Sequence, residues 1–499
     1  MAFDTIPRDK LLGKLLNYNI NGNFFNTIKN IYINDQACLK INNKVSDSFP
    51  VNQGVKQGCI LSPLLFNIFM SDLPKILDVD LNSTNPTEEY PSCLIWADDI
   101  ILLSESEDGL NKMLKSMESY CIQNELTVNT DKNKCMIFNK TGRLIRKTFT
   151  FNNNTLEIVR SYKYLGFLVT PSGEINSGLN DLRDRAMKAF FKLKDSMCSA
   201  FHRHIDIKIH LSDTLIKPIL LYASDFWGCL KPPSNNPIEK LHHMACKHIL
   251  GVQKQTTNIG VLLELGRIPL HIYAVKSAVK NWERIKYKQV NIYLKKSYEN
   301  AIMDNLPWVT NIKDILTKNV MSCFYTNSYE NKPPFIHKKI FQRLSDNFHQ
   351  GAFSSITSTE SKLRTYGLLK EHIGQEKYLS QITNPITRQA CTKLRLSNHT
   401  LNIEKGRHNN TPKEARFCPF CPTSVETETH FLIECPTYET IRQEIMTPLV
   451  NHKSSFKHYT EKEKFQYILS EENIIFTAKF VLRCFEIRTF LIARPRKPI

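Results

Sequence analysis

The chain has 499 residues, 41% of them hydrophobic, with a formal charge of +18. Such a length allows about three domains and a substantial core. Since no run of about 18 uncharged apolar residues occurs, a membrane-spanning helix is not expected. The N-terminus "MAFDTIPRDK" has no basic-then-apolar leader pattern, so we expect an intracellular protein, nuclear or cytoplasmic. A basic surface suits nucleic acid, an acidic partner or an anionic membrane, and plain lysine excess gives the same charge. Fourteen cysteines are scattered, mostly singly, among apolar neighbours, which suits buried free thiols in a reducing compartment.

"MAFDTI" reads as a short apolar strand, and Pro7 then opens a helix with Leu11, Leu12, Leu15 and Leu16 on one face. Residues 37–50 alternate weakly and predict a hairpin turning at Asn42-Asn43. Residues 54–73, "GVKQGCILSPLLFNIFMSDL", read as a glycine-bearing loop running into an apolar helix. The polar, proline-bearing stretch 77–91 predicts a loop. "LIWADDIILL" (94–103) fits two short strands of a tight hairpin with Asp98 and Asp99 at the turn.

Glu107 to Asn124 is predicted as a helix, with Leu110, Leu114, Met117 and Cys121 on one side. "LTVNTDKNKCMIF" reads as a loop and strand, 148–159 as a hairpin with an asparagine turn, and 162–173 as one further strand. After Gly173 the pattern becomes helical. In 179–194 Leu182, Ala186, Ala189 and Leu193 form an apolar stripe. Arg185, Lys188 and Lys192 flank it, as a solvated edge or a phosphate-facing one. Helical, basic sequence continues to about residue 400, with polar breaks near 231–236 and 328–334. The last 60 residues read as helices ending in the basic tail "ARPRKPI".

Asp98 and Asp99 pose a physical question, because adjacent carboxylates repel unless cations sit between them. Magnesium takes oxygen ligands, commonly carboxylates plus substrate phosphates, and a metal pair about 4 Å apart clamps both oxygens of a phosphoryl transfer. A solvent-exposed Asp-Asp turn fits the same letters. Asp4 in "AFDTIP" supplies a further carboxylate after a short apolar run.

In order, "AFDTIPRDKLL", "GVKQGCILSPLLFNIFMSDL" and "IWADDIILLSES" resemble the palm motifs of reverse transcriptases of the non-LTR retrotransposon (LINE-like, jockey-like) group. "LTVNTDKNKCMIF" and "YKYLGFLVT" are similar to its next two motifs, and "LIKPILLYASDFWG" to its downstream helical region. The resemblance covers about residues 1–230. It implies RNA-directed DNA polymerase activity, with Asp4, Asp98 and Asp99 as catalytic ligands of two Mg2+ ions, Mn2+ serving as a substitute. It further implies that Gly54, Gln57, Gly58 and Ser62 meet template and nucleotide, and that Lys132, or Lys134, protonates the leaving pyrophosphate. Tyr164, Leu165 and Gly166 resemble a primer grip, although strand packing explains them as well. Trp96 stands where tyrosine or phenylalanine is more usual. The implied partners are an RNA template, a DNA primer or target and deoxynucleoside triphosphates, with no membrane.

In this family the fingers precede the Asp4 motif, and only Met1, Ala2 and Phe3 precede Asp4 here. We therefore expect an N-terminally truncated, incomplete palm and weak or no polymerisation by the chain alone. A catalytically inactive nucleic-acid-binding remnant is the alternative. A two-metal phosphodiesterase or nucleotide cyclase is a third reading, disfavoured by the GVKQG…LSP loop.

"CPFCPTSVETETHFLIEC" gives Cys418-x2-Cys421-x8-His430-x4-Cys435, three thiolates and an imidazole suited to one structural Zn2+. The spacing resembles the C-terminal CCHC knuckle of the same group, which binds nucleic acid and leaves no ligand position open for catalysis. His399 and His408 lie close enough to serve as substitutes. Arg407, Lys413 and Arg416 add charge for a phosphate backbone. His242-His243 and His202/His204 lack partners at ligand spacing and read as core or surface residues. The expected fold is α+β. It comprises a partial palm over 1–142, a hairpin and primer-grip-like segment over 143–175, a helical thumb and connector over 176–400, the knuckle over 401–440 and a helical tail over 441–499.

Overall fold

A computed structural model describes residues 2–33, 35–81, 91–199, 203–231, 235–326, 335–358, 361–363, 365–452 and 454–493. The expected α+β class is met coarsely: the chain is mostly helical, with small two-stranded sheets. It divides into two compact units. One comprises 1–164, 169–174 and 290–304; the other comprises 165–168, 175–289 and 305–499. The polar breaks expected near 231–236 and 328–334 fall largely outside the described residues, as does the basic tail.

In the first unit the helices Arg8–Asn17, Ser62–Met70, Leu73–Leu81 and Glu107–Gln123 bury Leu11, Leu15, Phe69, Leu73, Leu77, Met113 and Tyr120 in one core. Each such side chain contributes roughly 1.5–3 kcal/mol on leaving water. Ser106 caps the Glu107–Gln123 helix by accepting from the Gly109 amide at 3.0 Å. Lys14 binds the helices together, donating to the Phe69 carbonyl (2.6 Å), Asp72 Oδ1 (2.9 Å) and the Tyr120 hydroxyl (3.0 Å).

Several expectations need correction. "MAFDTI" is no strand: Ala2–Asp4 is a 3-10 turn. The Phe3 and Ile6 carbonyls accept the amides of Val55 (2.7 Å) and Gly54 (2.8 Å), so the segment is tied to a loop rather than to a sheet. Leu16 of the predicted apolar face points to solvent. Residues 77–81, expected in a loop, finish the Leu73–Leu81 helix because Leu77 reaches the core; 82–90 lie outside the described residues. The single strand expected over 162–173 breaks into Tyr162–Tyr164 and Phe167–Val169, with Leu165 (φ 44°) and Gly166 (φ 80°) between them. Lys134–Cys135 pairs in parallel with Glu157–Ile158, a contact two-residue strands do not announce.

Both asparagine hairpins form as read. Lys40–Ile41 pairs with Lys44–Val45, and Thr150–Phe151 with Asn154–Thr155. Their turn residues Asn42, Asn43, Asn152 and Asn153 all take positive φ, which asparagine tolerates better than most side chains.

The second unit is built of helices, among them Asn176–Ser199, Pro237–Leu250, Leu270–Tyr287, Ile336–Thr357, Pro385–Arg395 and Ile474–Ala493. One core joins Leu262, Leu263 and Leu394 to Cys418, Phe431, Leu432 and Cys435, and onward to Phe480, Val481 and Cys484. Buried charge is paired within it. Arg395 reaches Glu264 (2.9 Å) and Glu376 (2.6 Å), and Arg488 reaches Glu426 (2.7 Å). No helix among the described residues is long and apolar enough to cross a membrane.

Candidate functional sites

Leu94 to Trp96 and Asp99 to Leu102 form the antiparallel pair Cys93–Trp96 with Asp99–Leu102, Trp96 lying opposite Asp99. Only Ala97 (φ 53°) and Asp98 occupy the turn, and Asp99 already begins the second strand. Ile95, Ile100 and Leu102 pack on the core while both carboxylates stand exposed at the tip. Ile95, Ile100 and Leu102 of the runs around "DD" therefore root the hairpin, and the charges stay in water. Burial, with the Asp99 charge adding to it, raises the Tyr164 hydroxyl above its ordinary value.

The Asp4 carboxylate is exposed and meets Gln57, whose amide donates to Oδ1 (2.9 Å) and Oδ2 (3.0 Å). Two separate motifs thus meet. Gly54 makes the approach possible: at φ 83°, a Cβ there would lie 2.6 Å from the Asp4 carbonyl oxygen. Its near neighbour is the Asp4 backbone, whereas Gly58, also at positive φ, faces open space. Ser62 is buried at the start of its helix and donates to the Lys56 carbonyl (2.6 Å). Lys132 is exposed in the Thr130–Lys132 turn, and Lys134 pairs with Glu157 at 2.7 Å.

One residue outside the motif roles organises this region. Arg8 donates to the carbonyls of Gly54 (2.9 Å), Tyr32 (2.9 Å) and Val51 (2.6 Å), and to Asp35 Oδ2 (2.9 Å). Asp35 also takes Lys56 at 3.0 Å. Burial works against ionised Asp35, yet these two cations hold its carboxyl below the ordinary value. An arginine in "TIPRDK" carries no sign of this in the sequence, because its acceptors are carbonyls 24 to 46 positions away.

In the second unit, Leu165 and Gly166 are gripped by helices. Arg185 Nη2 donates to the Gly166 carbonyl at 2.7 Å, and the Tyr222 hydroxyl donates to the Leu165 carbonyl. Arg185 also pairs with Asp181 at 3.0 Å. Lys188 and Lys192 of the same flank are exposed.

Cys418, Cys421, His430 and Cys435 are brought together. Their ligand atoms all lie within 4.8 Å of one another, and among the described residues this is the group of metal-ligating side chains so gathered. Asp4, Asp98 and Asp99 do not form such a group there. Cys418 Sγ is 4.0 Å and Cys421 Sγ 3.7 Å from Cys435 Sγ. Tetrahedral zinc with sulfur at about 2.3 Å sets sulfurs about 3.8 Å apart. His430 Nδ1 contacts Glu434 Oε2 at 3.1 Å, and Nε2 is buried without a partner, so its lone pair is left for a cation. The Cys418 thiol, donating to Cys435, holds the latter well below the ordinary thiol range. These residues fit zinc. Glu434, one helical turn after His430, was legible in principle from its i+4 spacing. Arg442 fixes the loop from outside through the Leu432 (2.9 Å) and Cys435 (2.7 Å) carbonyls.

The substitute ligands stand aside. His399 binds Glu428 at 2.9 Å within the core. The reading of His242-His243 as partnerless is corrected. His242 lies 3.9 Å from Cys246 Sγ, His243 4.0 Å from Glu239, and Glu239 also meets His271 at 3.2 Å. Helical i+4 and i−4 spacing makes the first two contacts, whereas His271 comes from another helix.

Residues 1–169 match the family model described as reverse transcriptase (RNA-dependent DNA polymerase). A relative from Drosophila funebris, described as the RNA-directed DNA polymerase from mobile element jockey, is 23% identical over 256 residues, 50% of this chain and 27% of the relative. The probable RNA-directed DNA polymerase from transposon BS of Drosophila melanogaster is 24% identical over 257 residues, 50% of this chain and 28% of its own length. A retrovirus-related Pol polyprotein from the type-2 retrotransposable element R2DM of the same fly is 26% identical over 184 residues, 35% of this chain and 17% of its own. The aligned part of the chain thus spans 17% to 28% of the length of these curated relatives. The resemblance to non-LTR retrotransposon reverse transcriptases, drawn from the motifs, is borne out by these matches.

Proposed function

We propose that this chain performs RNA-directed DNA synthesis of the non-LTR retrotransposon kind, with an RNA template, a DNA primer or target and deoxynucleoside triphosphates as its partners. The observation that carries the reading is the ordered motif set lying within the matched residues 1–169. The reaction is attack of a primer 3′-hydroxyl on the α-phosphate of the nucleotide, with pyrophosphate leaving. Asp4, Asp98 and Asp99 are hard oxygen donors suited to Mg2+, which when bound would activate the hydroxyl and neutralise the leaving group. Gln57 holds both oxygens of Asp4 and so fixes the direction of that carboxylate. The hairpin tip keeps Asp98 and Asp99 open to substrate, with Tyr164 alongside. Lys132, exposed in its turn, is the proton donor to pyrophosphate in this scheme. Segments 1–142 and 143–175 would serve as palm and primer grip, 176–400 as thumb and connector, and 401–440 as a zinc-bearing nucleic-acid contact.

A second reading, nucleic-acid binding without catalysis, is favoured by one contrast: the zinc quartet is gathered and the three carboxylates are not. Magnesium-dependent primer extension on an RNA template separates the two. The first reading expects extension, weak in the chain alone, that disappears in Asp98→Asn while RNA binding persists. Binding without extension would leave the second.

A further inference from the structure

Unit two carries a cation cluster that none of the roles above uses. Lys217 Nζ lies 3.6 Å from the centroid of the Tyr273 ring, and Lys276 Nζ lies 4.4 Å from that of Phe341. The two rings lie against each other, 5.2 Å apart between centroids. A lysine, two aromatic rings and a second lysine therefore form one contiguous group, assembled from the Lys217–Leu220, Leu270–Tyr287 and Ile336–Thr357 helices. The nearby carboxylate, Asp213, is already engaged by Arg267, whose Nη1 and Nη2 meet both its oxygens, Nη2 at 2.7 Å. Neither Lys217 nor Lys276 has a carboxylate partner among the described residues. Burial lowers the Lys217 ammonium, and the Arg267 and Lys276 charges add to the lowering against Asp213.

We propose that Lys217 and Lys276 form a phosphate-backbone contact for nucleic acid on the second unit. Three cations against one carboxylate leave a local excess of positive charge that an anion relieves. Cation–π contact with half-buried rings holds each ammonium in place. The rings are covered by the lysines, so the group offers charge rather than a stacking surface for bases. Sequence-independent phosphate contact is what such a group supplies. The site does not depend on catalysis: it rests on the nucleic-acid part of the proposed function and not on the carboxylates.

The test is the salt dependence of binding by the full chain to a fluorescein-labelled, mixed-sequence RNA hairpin. For Lys217→Gln/Lys276→Gln, the log–log slope of affinity against salt is expected to fall in magnitude by about 0.7 to 0.9 per lysine. The charge-keeping pair Lys217→Arg/Lys276→Arg should restore it. An unchanged slope with a lower melting temperature would show that the lysines serve packing alone and would overturn the proposal. So would wild-type chain that does not bind the hairpin. Loss of binding to phosphatidylserine vesicles with an unchanged RNA slope would assign the group to a membrane, again against the proposal. A normal slope change in a chain that fails to extend primers would refute the polymerase reading and leave this one standing.

Discussion

Arg8 and Gln57 show how single side chains set the Asp4 region. The guanidinium fan of Arg8 fixes the 51–56 loop, and that loop delivers Gln57 to Asp4. Arg8→Ala leaves half-buried Asp35 and three carbonyls without this donor, so we expect a loss of about 3 kcal/mol in urea unfolding. Arg8→Lys should recover little of it, since one ammonium cannot span the fork. His242 governs a different property. Burial, with Arg267, Lys217 and His243 adding like charge against the pull of Glu239, brings its imidazole down from 6.5 to about 4. The unfolded chain takes up that proton first as pH falls. Stability is therefore complete above 6.5 and declines as pH drops towards 4, by at most about 3 kcal/mol. Urea midpoints measured near neutral pH and near about pH 5 should differ more in wild type than in His242→Gln. Equal differences would remove His242 as the cause.

At the scale of elements, the asparagine hairpins were legible because two-residue turns demand positive φ, and asparagine supplies it. Asn153→Val in the 150–155 hairpin forces a β-branched residue into the left-handed region at φ 59°, which should cost about 1–2 kcal/mol, while Asn153→Gly stays within about 0.5 kcal/mol of wild type. Thermal melting of the three proteins decides this. The Glu107–Gln123 helix was equally readable from its apolar period. Strands were less so. The Ala2–Asp4 turn and the break at Leu165-Gly166 depend on hydrogen-bond partners far along the chain, namely the Val55 amide in one case and Arg185 with Tyr222 in the other. Local pattern carries no information about such partners.

Across the whole molecule, the Cys/His quartet belongs to the core of the second unit rather than to an appendage. Cys418 and Cys435 share that core with Phe431, Leu432 and Phe480, and Arg488 on the Ile474–Ala493 helix binds Glu426 between the ligands. A metal bound there would be coupled to folding of this unit. Purified chain should contain zinc equimolar with protein. Cys435→Ser should lose it and unfold the second unit at lower denaturant, while Asp99→Asn keeps both zinc and midpoint. A Cys435→Ser protein with unchanged zinc content and midpoint would refute the assignment.

The sequence alone determined the order of motifs, the hairpin that carries Asp98 in its turn, the asparagine turns and the identity of the four Cys/His residues, because each is encoded in neighbours a few positions apart. Tertiary structure decided the rest. It set Gln57 against Asp4, placed Arg185 on the Gly166 carbonyl, brought His271 to Glu239 and set Lys217 and Lys276 against an aromatic pair. Those contacts join helices and loops separated by many residues, and packing rather than local propensity selects which surfaces meet.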